Sequence, residues 1–191
     1  MAEKAHLIGA YGMLWDRHSV NWNPGSGPQA WQMLGYHNTN RPALRVCDFR
    51  QARGFYVLFD EFRATYAGLA RGKGGIGARL RTHHNSDKRW SRFCWFSLDG
   101  VRDVDRHWSG WSEIKDRDAV RSMTADTVIR ESEALMIAIL GLQDQNEMRF
   151  LQAQRWTQLT DADFARGGVG LKVDPEGFTD ERIRWLADGG S

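Results

Sequence analysis

Cysteine is nearly absent: Cys47 and Cys94 are the two that occur in 191 residues. Two thiols cannot build the disulfide framework of a small secreted domain, and they lack the paired spacing of a zinc site, so both are expected as buried, reduced thiols. Proline is scarce, with four residues, and neither internal repeats nor a low-complexity tail is present. Long hydrophobic runs are missing too. The longest, Ala134 to Leu142, is half a membrane span, and Gly9 and Gly12 interrupt the apolar residues near the N-terminus where a signal peptide needs a continuous core. What is present excludes disorder, because 41% of the residues are apolar and 12% aromatic. These limits predict a soluble, cytoplasmic protein of one ordinary domain, with room for a small appendage and no membrane partner.

Net charge is also low, at +2 from 26 basic and 24 acidic side chains, and by itself says little about partners. Its distribution says more. Between Arg71 and Arg92 the chain carries Arg71, Lys73, Arg79, Arg81, Lys88, Arg89 and Arg92 against Asp87 alone. Such a local excess is the footprint expected of a phosphate-binding face, and equally of a solvated one unless motifs accompany it.

The order of elements is read from turn residues and periodicity. Residues 1–53 mix short apolar stretches with a turn-rich segment, Asn23 to Pro28, and read as a β-rich extension that includes Trp31, Met33 and Leu34. Gly54 to Phe59 and Thr65 to Leu69 read as a hairpin closed by Asp60 to Ala64. The glycine run from Gly72 to Gly77 then opens a segment with Ile76 and Leu80 at helical spacing, and Arg92 to Leu98 reads as a third strand. Asp99 to Lys115 reads as a loop. A helix capped by Asp126 or Thr127 is expected to run through Glu133 to about Leu140, where Gly141 ends it. A second helical pattern covers 146–159, and a short final helix is expected from Thr179. The predicted fold class is α+β: a small antiparallel or mixed sheet of about three central strands flanked by helices. Its core is 54–146, with the β-rich extension before it and a helical extension, 147–191, after it.

Within that core, Gly54-Phe55-Tyr56, Tyr66-Ala67-Gly68, Arg79 with His83, and Glu133 follow one another in order. In this the chain resembles the GIY-YIG nuclease superfamily over residues 54 to about 146, roughly half its length. The resemblance implies a metal-dependent endonuclease cutting phosphodiester bonds, foremost in DNA and with RNA left open, around one Mg²⁺ or Mn²⁺ ion. It implies Tyr56 as general base and Glu133 as the single protein ligand of the metal. The glycine run lengthens the usual connection between the second tyrosine tripeptide and the helix arginine, which makes Arg81 the fallback for Arg79. Asn146, thirteen residues after the glutamate, stands without the customary proline.

The residue chemistry supports such a site independently. Arg79 and His83 are i and i+4 and share a helix face, and an arginine fork suits two phosphate oxygens. Glu133 offers a hard carboxylate to Mg²⁺. A free phenol with a pKa near 10 is a poor base at neutral pH, so Tyr56 needs help, and His83 competes for the role. Tyr66 is expected to orient water or phosphate. Arg71, Lys73, Arg81, Lys88, Arg89 and Arg92 are the candidate nucleic-acid contacts, and Trp90, set among them, is the tryptophan expected to touch the ligand. Glu131 is expected in solvent, because Ile137 and Leu140 share the Glu133 side of the helix.

Other readings weigh less. Gly72-x-Gly74-x-x-Gly77 matches a dinucleotide fingerprint with Asp99 as its acid, but its strand lacks Val/Ile character and no second βαβ unit follows, so the glycines read as a flexible or phosphate-hugging loop. His83, His84 and His107 lack the ligands to complete a zinc site. The size of the chain suits a restriction, phage-defence or mobile-element nuclease, acting as a monomer, a homodimer or part of a larger complex. A catalytically silent nucleic-acid-binding module is the alternative.

Overall fold

A computed structural model of the chain describes residues 6–20, 22, 31–37, 45–103, 111–117, 123–147, 149–150 and 152–160. Nine strands and two α-helices make up the regular structure of these residues: β1 (Ala10–Asp16), β2 (Leu34–His37), β3 (Arg45–Asp48), β4 (Gly54–Asp60), β5 (Arg63–Ala70), α1 (Gly75–His84), β6 (Arg92–Ser97), β7 (Gly100–Asp103), β8 (Trp111–Lys115), α2 (Ala125–Leu140) and β9 (Gln154–Gln158). The strands form one mixed sheet in the order β5-β4-β6-β1-β9-β2-β3-β8-β7. Two neighbouring pairs, β1 with β9 and β3 with β8, are parallel, and the other pairings are antiparallel.

This architecture corrects the expected one. A three-stranded sheet flanked by helices is replaced by a nine-stranded sheet, of which the predicted hairpin and third strand form one end. The segment expected as an N-terminal extension sends β1 between β6 and β9, in the interior of the sheet. The helix expected over 146–159 gives way to β9, and the residues described before that strand are not helical; part of the expected loop after Asp99 is the antiparallel pair β7 and β8. The final helix expected from Thr179 lies outside the described residues.

Strand alternation explains the two layers around the β5-β4-β6 end of the sheet. From β4 and β6, Tyr56, Leu58, Phe93 and Trp95 point to one face, where Ile76 and Leu80 of α1 join them in a single core. Val57, Phe59, Cys94 and Phe96 point to the other face, against Leu135, Ala138 and Ile139 of α2. The helices therefore lie on opposite faces. Aromatic residues fill the first core, with Trp15 edge-on to Trp95 at 5.1 Å and Phe49 beside Trp95 at 4.3 Å between ring centroids.

The start of α1 explains the glycines. Ile76 N–H donates to the Ala52 carbonyl at 2.7 Å and Gly77 N–H to that of Arg50 at 2.8 Å, so these first-turn amides are held by the 50–52 turn rather than offered to a phosphate. Gly75 takes φ +60°, and a side chain there would strike the Arg50 carbonyl. Gly75 and Gly77 serve close backbone packing against residues 50–52, whereas Gly72 at the start of the run faces open space.

Candidate active site

Four of the five residues expected to act together do converge. Tyr56 stands on β4, Tyr66 on β5, and Arg79 and His83 one turn apart on α1. The Tyr56 hydroxyl and His83 Nε2 are 2.9 Å apart and hydrogen-bonded. The Tyr66 ring lies 4.7 Å from the His83 ring and 6.1 Å from that of Tyr56, centroid to centroid. The strand register places Tyr56 directly opposite Gly68. A Cβ on Gly68 would collide with the Tyr56 ring and hydroxyl, which gives the glycine of the second tripeptide a steric reason. The hairpin was legible in the sequence, but a bulge between Leu58 and Phe59 sets this pairing: the turn at Asp60–Arg63 by itself would put Tyr56 opposite Ala67.

Access to the group is uneven. Tyr56 is fully buried, His83 keeps 8% of its surface, Tyr66 is half-buried and Arg79 is exposed. A ligand from solvent meets Arg79, Tyr66 and the edge of His83 first. Lys88 adds a second cation, its Nζ 3.8 Å from the centre of the Tyr66 ring. The backbone of His83 is pinned at the end of α1, where its carbonyl accepts from Ser86 Oγ at 2.9 Å and from the Trp90 indole at 3.4 Å.

The two candidate bases are shifted in opposite directions. Burial pushes the Tyr56 phenol above its ordinary value, the neighbouring Tyr66 hydroxyl adds to the rise, and Arg79 opposes it without reversing it. Tyr56 therefore keeps its proton in neutral solution. Burial lowers His83 below its ordinary value, with Lys88 and Arg79 contributing in the same direction. A neutral imidazole has one nitrogen free to accept a proton, so His83 is the group able to act as base. In one tautomer Nε2 accepts a hydrogen bond from the Tyr56 hydroxyl and Nδ1 carries the ring proton; in the other Nε2–H donates to Tyr56 and Nδ1 is the free acceptor.

Glu133, the fifth residue, is not part of the group. It is exposed on α2, which packs on the face of the sheet opposite Tyr56 and Tyr66. The inward side of α2 carries Glu131, Ala134, Ile137 and Ala138, whereas Leu140 is 65% exposed. Glu131 is fully buried rather than solvated, and its Oε2 accepts from the Leu7 and Ile8 amides at 3.1 and 3.2 Å. Among the described residues no three His, Cys, Asp or Glu side chains gather as a metal site. With its expected ligand on the other face, the group around His83 does not fit the Mg²⁺ or Mn²⁺ ion that the resemblance implies.

The surrounding expectations divide. Lys73, Lys88, Arg89 and Arg71 are exposed, Arg81 lies over Trp31 at 5.6 Å and Arg92 over Phe62 at 5.3 Å. Arg71 lines a separate cleft of about 400 Å³ with Arg53 and Asp99. Trp90 is 3% exposed and belongs to the core, stacked beneath Arg17 at 4.7 Å, so it presents no ring to a base. Asn146 closes a local turn by donating to the Leu142 carbonyl at 2.9 Å. Asp99, the acid of the discarded dinucleotide reading, is buried and held by the Arg53 backbone amide and guanidinium. The chain matches no family model, no curated protein and no solved structure.

Proposed function

We propose that the chain is a nuclease that cleaves phosphodiester bonds of nucleic acid at the Tyr56, Tyr66, Arg79 and His83 group. The observation that carries this reading is the hydrogen bond between a buried phenol and a neutral imidazole beside two exposed cations. Arg79 and Lys88 stabilise the charge that develops on a phosphate, Tyr66 orients it, and His83 accepts the nucleophile's proton while Tyr56 holds the ring in place. The basic residues from Arg71 to Arg92 extend the contact along the strand. The tyrosine tripeptides taken alone suggest DNA, in restriction, phage defence or a mobile element, with RNA the other substrate class this reading admits. No helix of the described residues is long and apolar enough to cross a membrane, and Cys47 and Cys94 are free thiols, which suits a cytoplasmic setting. Ile129, Met136 and Leu140, each more than half exposed on α2, favour a homodimer or larger complex.

Cleavage of labelled DNA and RNA by the wild type, His83→Gln and Glu133→Ala tests the proposal. His83→Gln is expected to lose about 10²–10⁴-fold in rate, and Glu133→Ala to cut like the wild type. If the wild type cuts no substrate faster than His83→Gln does, the enzyme reading fails. The complete burial of Tyr56 favours a second reading, a silent binding module, which would retain salt-sensitive binding of the same strands without cleavage.

A further inference from the structure

A phosphodiester can be opened by external water or by a hydroxyl already attached to the neighbouring carbon. External water has a pKa of about 15.7 and normally owes its activation to a metal that brings it near 7. Here the carboxylate expected to hold that metal, Glu133, is exposed on α2, across the sheet from His83. The group offers instead an imidazole hydrogen-bonded to Tyr56, with Arg79 one turn away and Lys88 against Tyr66. These residues can remove a proton and neutralise an oxyanion. They supply nothing that lowers the pKa of water to theirs.

An internal nucleophile removes that difficulty. A 2′-hydroxyl sits next to the phosphorus, and well-oriented intramolecular attack reaches effective molarities on the order of 10⁵–10⁸ M. Resting on the nuclease reading above, we infer that the substrate is RNA, cleaved by transesterification through its own 2′-hydroxyl with no divalent ion required. The 2′-oxygen gives its proton to Nδ1 of His83, whose Nε2–H donates to the Tyr56 hydroxyl, and bonds to phosphorus. The bond from phosphorus to the 5′-oxygen breaks, and the departing oxygen takes a proton from solvent. The products are a 2′,3′-cyclic phosphate and a free 5′-hydroxyl, with no change of oxidation state. Arg79 and Lys88 hold the two non-bridging oxygens during the step.

The test uses the whole protein with one sequence made as RNA, as 2′-O-methyl RNA and as DNA, each in Mg²⁺ and in EDTA, with product ends read by mass spectrometry. RNA is expected to be cut equally in both buffers and to end in a cyclic phosphate, while the 2′-O-methyl strand and DNA are cut at least about a thousandfold more slowly. His83→Gln, purified in parallel, is expected to leave RNA intact, which excludes a contaminating ribonuclease. Cutting of DNA, a requirement for Mg²⁺, or ends carrying a 5′-phosphate would overturn the RNA inference and leave the nuclease reading standing. Equal RNA cleavage by His83→Gln would overturn the assignment to this site. If none of the three strands is cut, the nuclease reading falls together with the inference.

Discussion

Tyr56 and Gly68 illustrate how one small residue fixes a large one. The phenol ring lies flat on the strand opposite because Gly68 has no side chain, and this brings its hydroxyl to His83. Gly68→Ala is expected to force the ring aside at a cost of about 1–3 kcal/mol, the usual penalty of overpacking. A lowered urea midpoint with an unchanged slope would register it. His83 predicts a pH effect of definite sign. Its pKa is lowered in the folded state, as are those of His37 and His84, so the unfolded chain binds protons more readily. This stability is complete above the ordinary histidine value of about 6.5 and is lost as pH falls through that value towards the lowered ones. Chemical denaturation between pH 7 and 5 should show the decline, and His83→Gln should make it shallower. Over the same range the cleavage rate should rise with pH and level off by neutrality, as expected of a base that works unprotonated.

Among the elements, α2 and β9 show why local patterns mislead. Apolar residues surround α2 almost entirely, so several registers look like its buried side. The structure selects the one that carries Glu131, because the unpaired amides of Leu7 and Ile8 need an acceptor there. Glu131→Ala is therefore expected to cost about 1–3 kcal/mol by leaving those amides unsatisfied, whereas Glu133→Ala, on the exposed side, should stay within about 0.5 kcal/mol. Thermal unfolding of the two variants side by side checks the contrast. Helix ends were more legible: Gly141 does end α2, in a left-handed conformation, although Thr124 rather than Asp126 or Thr127 caps its start. β9 reads Gln-Arg-Trp-Thr-Gln and has little strand character. It is held as a strand between β1 and β2, with Trp156 buried in the core and the Gln158 amide bonded to both the N–H and the carbonyl of Asp16.

At the scale of the molecule, the sheet gathers residues from both ends of the described chain into one layer, and the basic segment lies at its β5-β4-β6 end with α1. If phosphate contacts dominate, the logarithm of the binding constant should fall linearly with that of salt, with about 0.7 unit of slope for each phosphate neutralised on a single strand. Fluorescence anisotropy with a labelled strand measures this, and replacement of Arg79 together with Lys88 should reduce the slope by about 1.4. A salt-independent affinity would remove the basic segment from the interface.

The amino-acid order determined what depends on near neighbours. The turn between two β-prone runs set the hairpin of β4 and β5, helical spacing put Arg79 and His83 on one face, and the third strand followed from its run of aromatics. Tertiary structure alone decided which strands lie beside β6, that polar β9 belongs in the interior of the sheet, and that α2 takes Glu133 away from the phenols. The physical reason is that strand partners and helix faces are chosen by burial against residues distant in the chain. No local period records which of two apolar sides will find such a partner.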